Sequence, residues 1–382
     1  MRDLVPVAAD DVVALTAAVR AALDGSGPAV LPLAPGGPRP AAPPERVPLP
    51  VALVVATSGS SGPPKLVALR SAALLASAAA TESALGGPGE WVLALPGQYI
   101  AGIQVIVRAL TAGGEPHPLP PGPFTAGAFS AAVAALPRER RRYSALVATQ
   151  LHRLLDAVDA GGDDVGDAVR SLDALLIGGG RLAEDLARRA RSAGFRIVRT
   201  YGASETAGGC VYDGVPLAGV DVRIVAGEVQ LSGPMLADGY LGDEERTAEA
   251  FVDQPGRRWY RTGDTGEWDG TRLTVTGRLD DVVVTGGEKV SLALVERVVQ
   301  SLPGLADAVV VRAPDAEWGE VPVVATADAG ADLARVREKV AERMGRAAAP
   351  RRLLTLPELP LLANGKPDRV RIARIAAGEA GA

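Results

Sequence analysis

At 382 residues the chain is too long for one typical core, so two or more domains are expected. With 47% hydrophobic and 22% charged residues it has the composition of a globular protein rather than a disordered one, and a net charge of −5 argues against a nucleic-acid surface. A single cysteine, Cys210, excludes an internal disulfide framework and suits a reducing cytoplasm, while two distant histidines, His117 and His152, argue against a His/Cys metal cage.

The first residues, MRDLVPVAADDVVAL, carry Asp3, Asp10 and Asp11 and do not read as a signal peptide. No apolar run reaches the length of a membrane span, so membrane insertion is not expected. Residues 26 to 50 are dense in proline and glycine and read as an irregular or extended lead-in. From about 51 to 200 short apolar runs (VALVVA, WVLALP, SALVA, LDALLIGG, FRIVRT) alternate with helical patterns (SAALLASAAATESAL, GIQVIVRALTAG, QLHRLLDAVDA, LAEDLARRARSAG). That alternation predicts parallel strands with crossover helices. After about residue 210, VDVRIVAGEVQLSGPML and RWYRTGDTGEWDGTRLTVTGR alternate apolar and polar residues between Gly/Asp turns, which predicts antiparallel strands. Past Asp281 a compact α+β pattern follows, with helices SLALVERVVQSL and ADLARVREKVAERMG, strands ADAVVVRA and VPVVATAD, and a last strand RRLLTLPEL. The expected division is therefore 1–280, including the lead-in 1–50, and a small domain 281–382.

The stretch TSGSSGPPK, Thr57 to Lys65, sits between the strand-like runs VALVVA and KLVAL, so it reads as the tip of a hairpin. Glycines let backbone N–H groups crowd an anion, the hydroxyls of Thr57, Ser58, Ser60 and Ser61 add donors, and Lys65 adds charge. Phosphate is the guest such a loop suits, although a plain surface hairpin has the same composition. It is not the Walker pattern, because Leu66 follows Lys65. Five later stretches carry chemistry: LLIGGGRL at a strand end; RTYGASETAGGCVYDG, with an aromatic, a hydroxyl and a carboxylate close together; WYRTGDTGEWDG and GRLDDVVVTGGEKV, with Asp264 and Arg278; and LANGKPDR, with Lys366 in a turn.

In this order TSGSSGPPK, YGASE, RTGD, GRLDD and NGKPD resemble the motifs of the adenylate-forming superfamily, which includes acyl-CoA synthetases, luciferase-type enzymes and peptide-synthetase adenylation domains. Ser204 stands where that superfamily usually has threonine, and its N-terminal stretch is largely missing here. LPGQYIAGIQVIVRAL, YSALVATQLHRLL and YGASETAGGCVYDGVPLAGV are more similar to the o-succinylbenzoate–CoA ligases of menaquinone biosynthesis, in their short actinobacterial form. The resemblance implies an α/β fold: a large N-terminal adenylate-forming domain of mixed α/β sheets plus a distorted β region, and a small mobile α+β C-terminal domain. It implies ATP, Mg²⁺ and coenzyme A as reactants, a small carboxylic acid as substrate, and a cytoplasmic enzyme, with a homodimer left open.

By the same resemblance Ser58, Gly59, Ser60, Ser61, Gly62 and Lys65 would hold phosphates, and Glu205 with Thr57 would hold Mg²⁺. Tyr201, beside Gly178, Gly179 and Gly180 and followed by Gly202 and Ser204, would stack on adenine. Asp264 and Arg278 would take the ribose, and Lys366 the reacting oxygens. Gln98, Tyr99, Thr149, Gln150, Gly208, Gly209 and Cys210 would surround the acid; the Gln98-Tyr99 segment departs from the subfamily's usual histidine. A hinge at Asp280 would exchange the Lys366 turn for the Gly286-Gly287 loop in the thiol step. The alternatives are another aryl- or acyl-acid ligase or carrier-protein loader of the superfamily, and an inactive adenylate-binding protein.

Overall fold

The computed structural model describes residues 1–36, 43–57, 65–361 and 367–378. By compactness the chain divides into one unit of 1–223, 230–261 and 269–273, and a second of 224–229, 262–268 and 274–382. Asp280 lies within the second. Among the described residues no helix is long and apolar enough to cross a membrane.

The first unit holds two sheets. One runs Gly239–Tyr240, Lys65–Arg70, Val51–Thr57, Ala29–Leu33, Arg2–Ala8, Arg46–Val47. The other runs Val215–Pro216, Gly208–Tyr212, Ile197–Ala203, Ala174–Gly178, Arg141–Val147, Gly89–Leu93, His117–Pro118. In the second sheet the strands from Ile197–Ala203 through His117–Pro118 are all parallel, as the alternation predicts, and Gly208–Tyr212 turns back antiparallel. Parallel strands need covered faces, and Leu151, Leu154, Val165, Val169, Ala187 and Ala190 from the crossover helices meet Val92, Leu146, Leu175 and Ile177 of the strands in one core.

The stretch 26–50, expected to run irregular or extended, is regular in part. Ala29–Leu33 is a buried strand, parallel to Arg2–Ala8 on one side and to Val51–Thr57 on the other. Its proline signalled a loop, but pairing with Val51–Thr57 registers only at Val30↔Leu53, so Pro32 lies beyond the stretch that needs a second partner. Helix Val12–Asp24 packs nearby; the Asp11 side chain accepts from the Ala14 N–H at its start, and Gly25 ends it.

Of the strands after residue 210, Asp221–Val225, Glu228–Ser232, Arg257–Trp268 and Phe251–Gln254 form a further sheet, with Leu273–Arg278 on Arg257–Trp268. In the second unit Glu288–Ser291, Val282–Thr285, Gly319–Thr326 and Val309–Asp315 make the last sheet, and Arg352–Thr355 pairs parallel to Gly319–Thr326. Strand alternation there is apolar on both faces. Val309, Val311, Val321 and Val323 meet Ile372 and Ala376, while Val310 and Val324 meet Val295, Val299, Val336 and Val340. Helix Arg369–Ala377 explains the first face: it is nine residues long, too short to be stable alone, and burial of Ile372 and Ala376 against the sheet holds it.

Candidate functional site

The hairpin expected around TSGSSGPPK is present: Val51–Thr57 and Lys65–Arg70 are antiparallel, closing at Thr57↔Lys65. Ser58, Gly59, Ser60, Ser61 and Gly62 lie outside the described residues. On the far side of Lys65–Arg70, Gly239–Tyr240 pairs antiparallel with Tyr240 opposite Val67, which puts Lys65 on the diagonal of the Tyr240 ring. The Lys65 ammonium sits 4.8 Å from the ring centroid and 3.5 Å from the phenol oxygen. That hydroxyl in turn donates to Glu205 Oε1 at 2.8 Å. Burial, then the charge of Glu205, push the Tyr240 phenol far above its ordinary range, so it stays a donor. Sequence reading missed Tyr240, because its partners lie 175 and 35 residues away.

Glu205 follows strand Ile197–Ala203 in a single turn, Ser204–Thr206, after which Gly208–Tyr212 doubles back. The Thr206 hydroxyl fixes the turn, accepting from the Ala203 N–H at 2.8 Å and donating to the Gly208 carbonyl at 2.7 Å. Gly202 is required: a Cβ there would stand 2.1 Å from the Gly208 oxygen. Glu205 is 7% exposed, and its backbone carbonyl accepts from the Ala237 N–H.

Most of the remaining candidates share one edge. Tyr201, Gly202 and Ser204 at the end of Ile197–Ala203, Gly178, Gly179 and Gly180 at the end of Ala174–Gly178, Thr149 and Gln150 just past Arg141–Val147, and Gln98 and Tyr99 past Gly89–Leu93 follow the carboxyl ends of four adjacent parallel strands. In α/β sheets that edge is where ligands bind. Tyr99 is the cap residue of helix Ile100–Thr111, as its position suggested, and its side chain makes no cap hydrogen bond. Gln150 is engaged at both ends: Oε1 accepts from the Val147 N–H at 3.1 Å and Nε2 donates to the Ala94 carbonyl at 3.0 Å, so it caps helix Ala148–Asp159. Thr149 is exposed. Cys210 is buried, and burial pushes its thiol from 9.0 up to about 12 against the pull of Thr206. It is a packed thiol, not a nucleophile.

Helix Ile100–Thr111 brings two more residues that the sequence reading passed over. Gln104, 1% exposed, donates to the Ala207 carbonyl at 2.8 Å, and its Cγ lies 3.3 Å from where a Cβ on Gly208 would be. One turn on, Arg108 is 6% exposed, 5.2 Å from the Trp91 ring, and 3.5 Å from the Tyr212 hydroxyl, which contacts Thr81 Oγ1. Its Nε has no hydrogen-bond partner among the described residues, and burial lowers its pKa. The signal available was a glutamine and an arginine inside a largely apolar helix.

In the second unit, Arg278 reaches Asp264 Oδ1 at 3.1 Å and grips both carboxylate oxygens of Asp280 at 2.7 and 3.2 Å. The Asp264 N–H is held by Thr262 Oγ1, and Arg312 donates to the Asp280 carbonyl. Gly286 and Gly287, at φ 58° and 85°, form the two-residue turn between Val282–Thr285 and Glu288–Ser291, and a Cβ on Gly286 would come 2.5 Å from the Trp318 ring. Both glycines are thus required by the hairpin itself. Lys366 lies outside the described residues.

Among the described residues no group of three His, Cys, Asp or Glu could hold a metal ion. Glu205 alone still fits Mg²⁺, which takes one or two carboxylates and completes its shell with phosphate and water.

A family profile described as "AMP-binding enzyme" matches residues 6–241, and "AMP-binding enzyme C-terminal domain" matches 294–366. The chain is 41% identical to a probable 2-succinylbenzoate–CoA ligase of Mycobacterium tuberculosis H37Rv, over 86% of each chain. It is 33% identical to the 2-succinylbenzoate–CoA ligase of Escherichia coli K12, over 81% of this chain and 65% of that one. Among solved structures, o-succinylbenzoate CoA synthetase (MenE) of Bacillus subtilis with the acyl-adenylate OSB-AMP is similar at TM-score 0.72 and 26% identity, covering 84% of this chain and 69% of that one. Amide bond synthetase McbA of Marinactinospora thermotolerans is similar at 0.74 and 27%, covering 98% and 80%. These matches agree with the motif series and with the strand-end geometry: the chain belongs to the AMP-binding enzyme family.

Proposed function

We propose that this chain ligates 2-succinylbenzoate to coenzyme A in two steps, through an acyl-adenylate, using ATP and releasing AMP and pyrophosphate, as a cytoplasmic enzyme of menaquinone biosynthesis. The observation that carries this reading is the 41% identity, across 86% of both chains, to the M. tuberculosis protein of that name.

The first step brings two anions together. At 4 Å two unit charges repel by roughly 4 kcal/mol at an effective dielectric near 20, so cations and aimed donors must offset this in the transition state. Lys65, Thr57 and the serines and glycines of the hairpin tip hold the β- and γ-phosphates. Glu205 with Thr57 would hold Mg²⁺, which when bound would supply positive charge to the phosphates. Tyr201 stacks on adenine beside Gly178–Gly180, Asp264 accepts the ribose hydroxyls with Arg278 beside it, and Lys366 meets the reacting oxygens. In the second step the thiol must reach the acyl carbon where Lys366 stood. Rotation about Asp280 withdraws that lysine and presents the Gly286-Gly287 turn.

The acid has a second carboxylate that must be held without reacting. Gln98 and Tyr99 provide neutral donors at a helix start, where backbone N–H groups favour an anion.

Pyrophosphate release over a panel of carboxylic acids, with and without coenzyme A, tests the reading. The expected result is turnover of 2-succinylbenzoate, with thioester formed only when the thiol is present. Preference for another acid would assign the chain to a different ligase of the family. A second reading follows from the likeness to McbA: an amine in place of the thiol in the second step. Amide formation from the adenylate, at rates above thioester formation, would favour it.

A further inference from the structure

We infer that Tyr240 is a positioning residue of the nucleotide site, whose hydroxyl keeps Lys65 and Glu205 apart so that the cation can face phosphate and the carboxylate can face metal. The inference rests on the proposed use of ATP, and is independent of which acid is activated.

The geometry is a three-member chain. Lys65 Nζ donates to the phenol oxygen at 3.5 Å, and the phenol donates to Glu205 Oε1 at 2.8 Å. A hydroxyl that accepts from a cation and donates to an anion has one stable polarity, and Tyr240 as a whole is 6% exposed. The ring cannot drift. Its backbone is paired to Val67, its N–H donates to Thr247 Oγ1 at 2.8 Å, and Phe251 packs against it with centroids 6.0 Å apart. Tyr260 adds a side-chain hydrogen bond. Lys65 belongs to the phosphate hairpin and Glu205 to the turn after Ile197–Ala203, so the phenol joins two motifs that meet nowhere in the sequence. Without the hydroxyl, ammonium and carboxylate would be drawn into a direct ion pair. Each would then be neutralised by the other and withdrawn from its ligand.

Tyr240→Phe keeps the ring, its packing on Phe251 and its face toward Lys65, and removes only the hydroxyl. ATP binding is measured by calorimetry with Mg²⁺ and with EDTA, without any acid. The expected result is that the tightening of ATP binding by Mg²⁺ shrinks about tenfold or more, as for loss of a hydrogen bond to a charged group. Thioester formation from pre-made acyl-adenylate, which involves neither pyrophosphate nor its metal, should stay near native. In the Glu205→Gln background Tyr240→Phe should add little, because the two changes break one chain. An unchanged Mg²⁺ effect overturns the inference, and so does equal loss in both forms of ATP and both half-reactions. Should the phenylalanine variant precipitate, Glu205→Gln alone carries the test. It leaves the Lys65–Tyr240 contact in place, so metal-free ATP should bind within about twofold of native, as expected when a held cation loses no partner of its own. A tenfold loss in EDTA would overturn the inference. Failure of the native protein to bind ATP at all would instead refute the proposed function.

Discussion

Two charged networks handle the nucleotide in this reading, and they are built oppositely. Lys65–Tyr240–Glu205 is interior: Tyr240 and Glu205 are 6% and 7% exposed. Asp264–Arg278–Asp280 is open: the Arg278 and Asp280 side chains are 45% and 51% exposed, and only Asp264 is largely covered at 17%. A buried chain of hydrogen bonds is costly to leave half made, so its geometry is fixed before any ligand arrives. Exposed ion pairs are worth about 0–1 kcal/mol each, so Arg278 can give up a partner at little cost. The difference separates a network that holds a fixed geometry from one able to exchange partners, and the second is what the proposed ribose acceptor beside the proposed hinge requires.

The sharpest way to break this comparison lies with the lysine of the NGKPD motif. Lys366→Ala should lower adenylate formation by about 10²-fold or more, the cost of removing one aimed transition-state donor, while thioester formation from pre-made acyl-adenylate stays near native. Equal loss in both half-reactions, measured by rapid quench, would remove the reason for a hinge.

Asp264→Ala tests whether the open network reads the ribose. Losing a charged acceptor costs about 1.5–3 kcal/mol, so the Kd for ATP should rise about tenfold to hundredfold in a calorimetric titration. An unchanged Kd would reduce RTGD to a turn. Arg108→Met tests a third arrangement, a buried cation on helix Ile100–Thr111 held by Trp91 and Tyr212. Because no carboxylate pairs with the guanidinium among the described residues, the apolar replacement should hold or raise Tm in the ligand-free protein. A fall in Tm, read by calorimetry, would make Arg108 a packing residue.

Smaller effects are expected at Gln98→Ala and Tyr99→Phe, about threefold in KM for the diacid, as for neutral hydrogen bonds. Cys210 should give no effect on activity at all. With its thiol pushed up to about 12, it should resist alkylation at pH 8 in the folded protein and react once the chain is unfolded. The same shift favours the folded state below pH 9.0, and its contribution is lost as pH rises through about 12. Rapid labelling of native protein at pH 8 would contradict this placement.

Much of the first unit was legible because its signals are local. Ser71–Leu85 reads as a helix from composition, the hairpin of Val51–Thr57 and Lys65–Arg70 from two β-branched runs around a Gly/Ser/Pro turn, and the parallel strands from alternation with helices. The order of the chemical motifs was legible for the same reason, since each is a short loop at an element's end. Tertiary structure alone decided the rest. Ala29–Leu33 became a buried strand, despite its proline, because neighbours on both sides pair with it. Tyr240 acquired a role because cross-strand register lays its ring beside Lys65, and because the turn after Ile197–Ala203 brings Glu205 to its hydroxyl. Arg108 reads as a polar residue in a largely apolar helix, and only burial, with Trp91 and Tyr212 around it, makes it a cation with no carboxylate partner among the described residues. Periodicity and turn chemistry act over a few residues and can be read along the chain, whereas burial and charge pairing depend on which distant segments share a volume, and only the folded chain sets that.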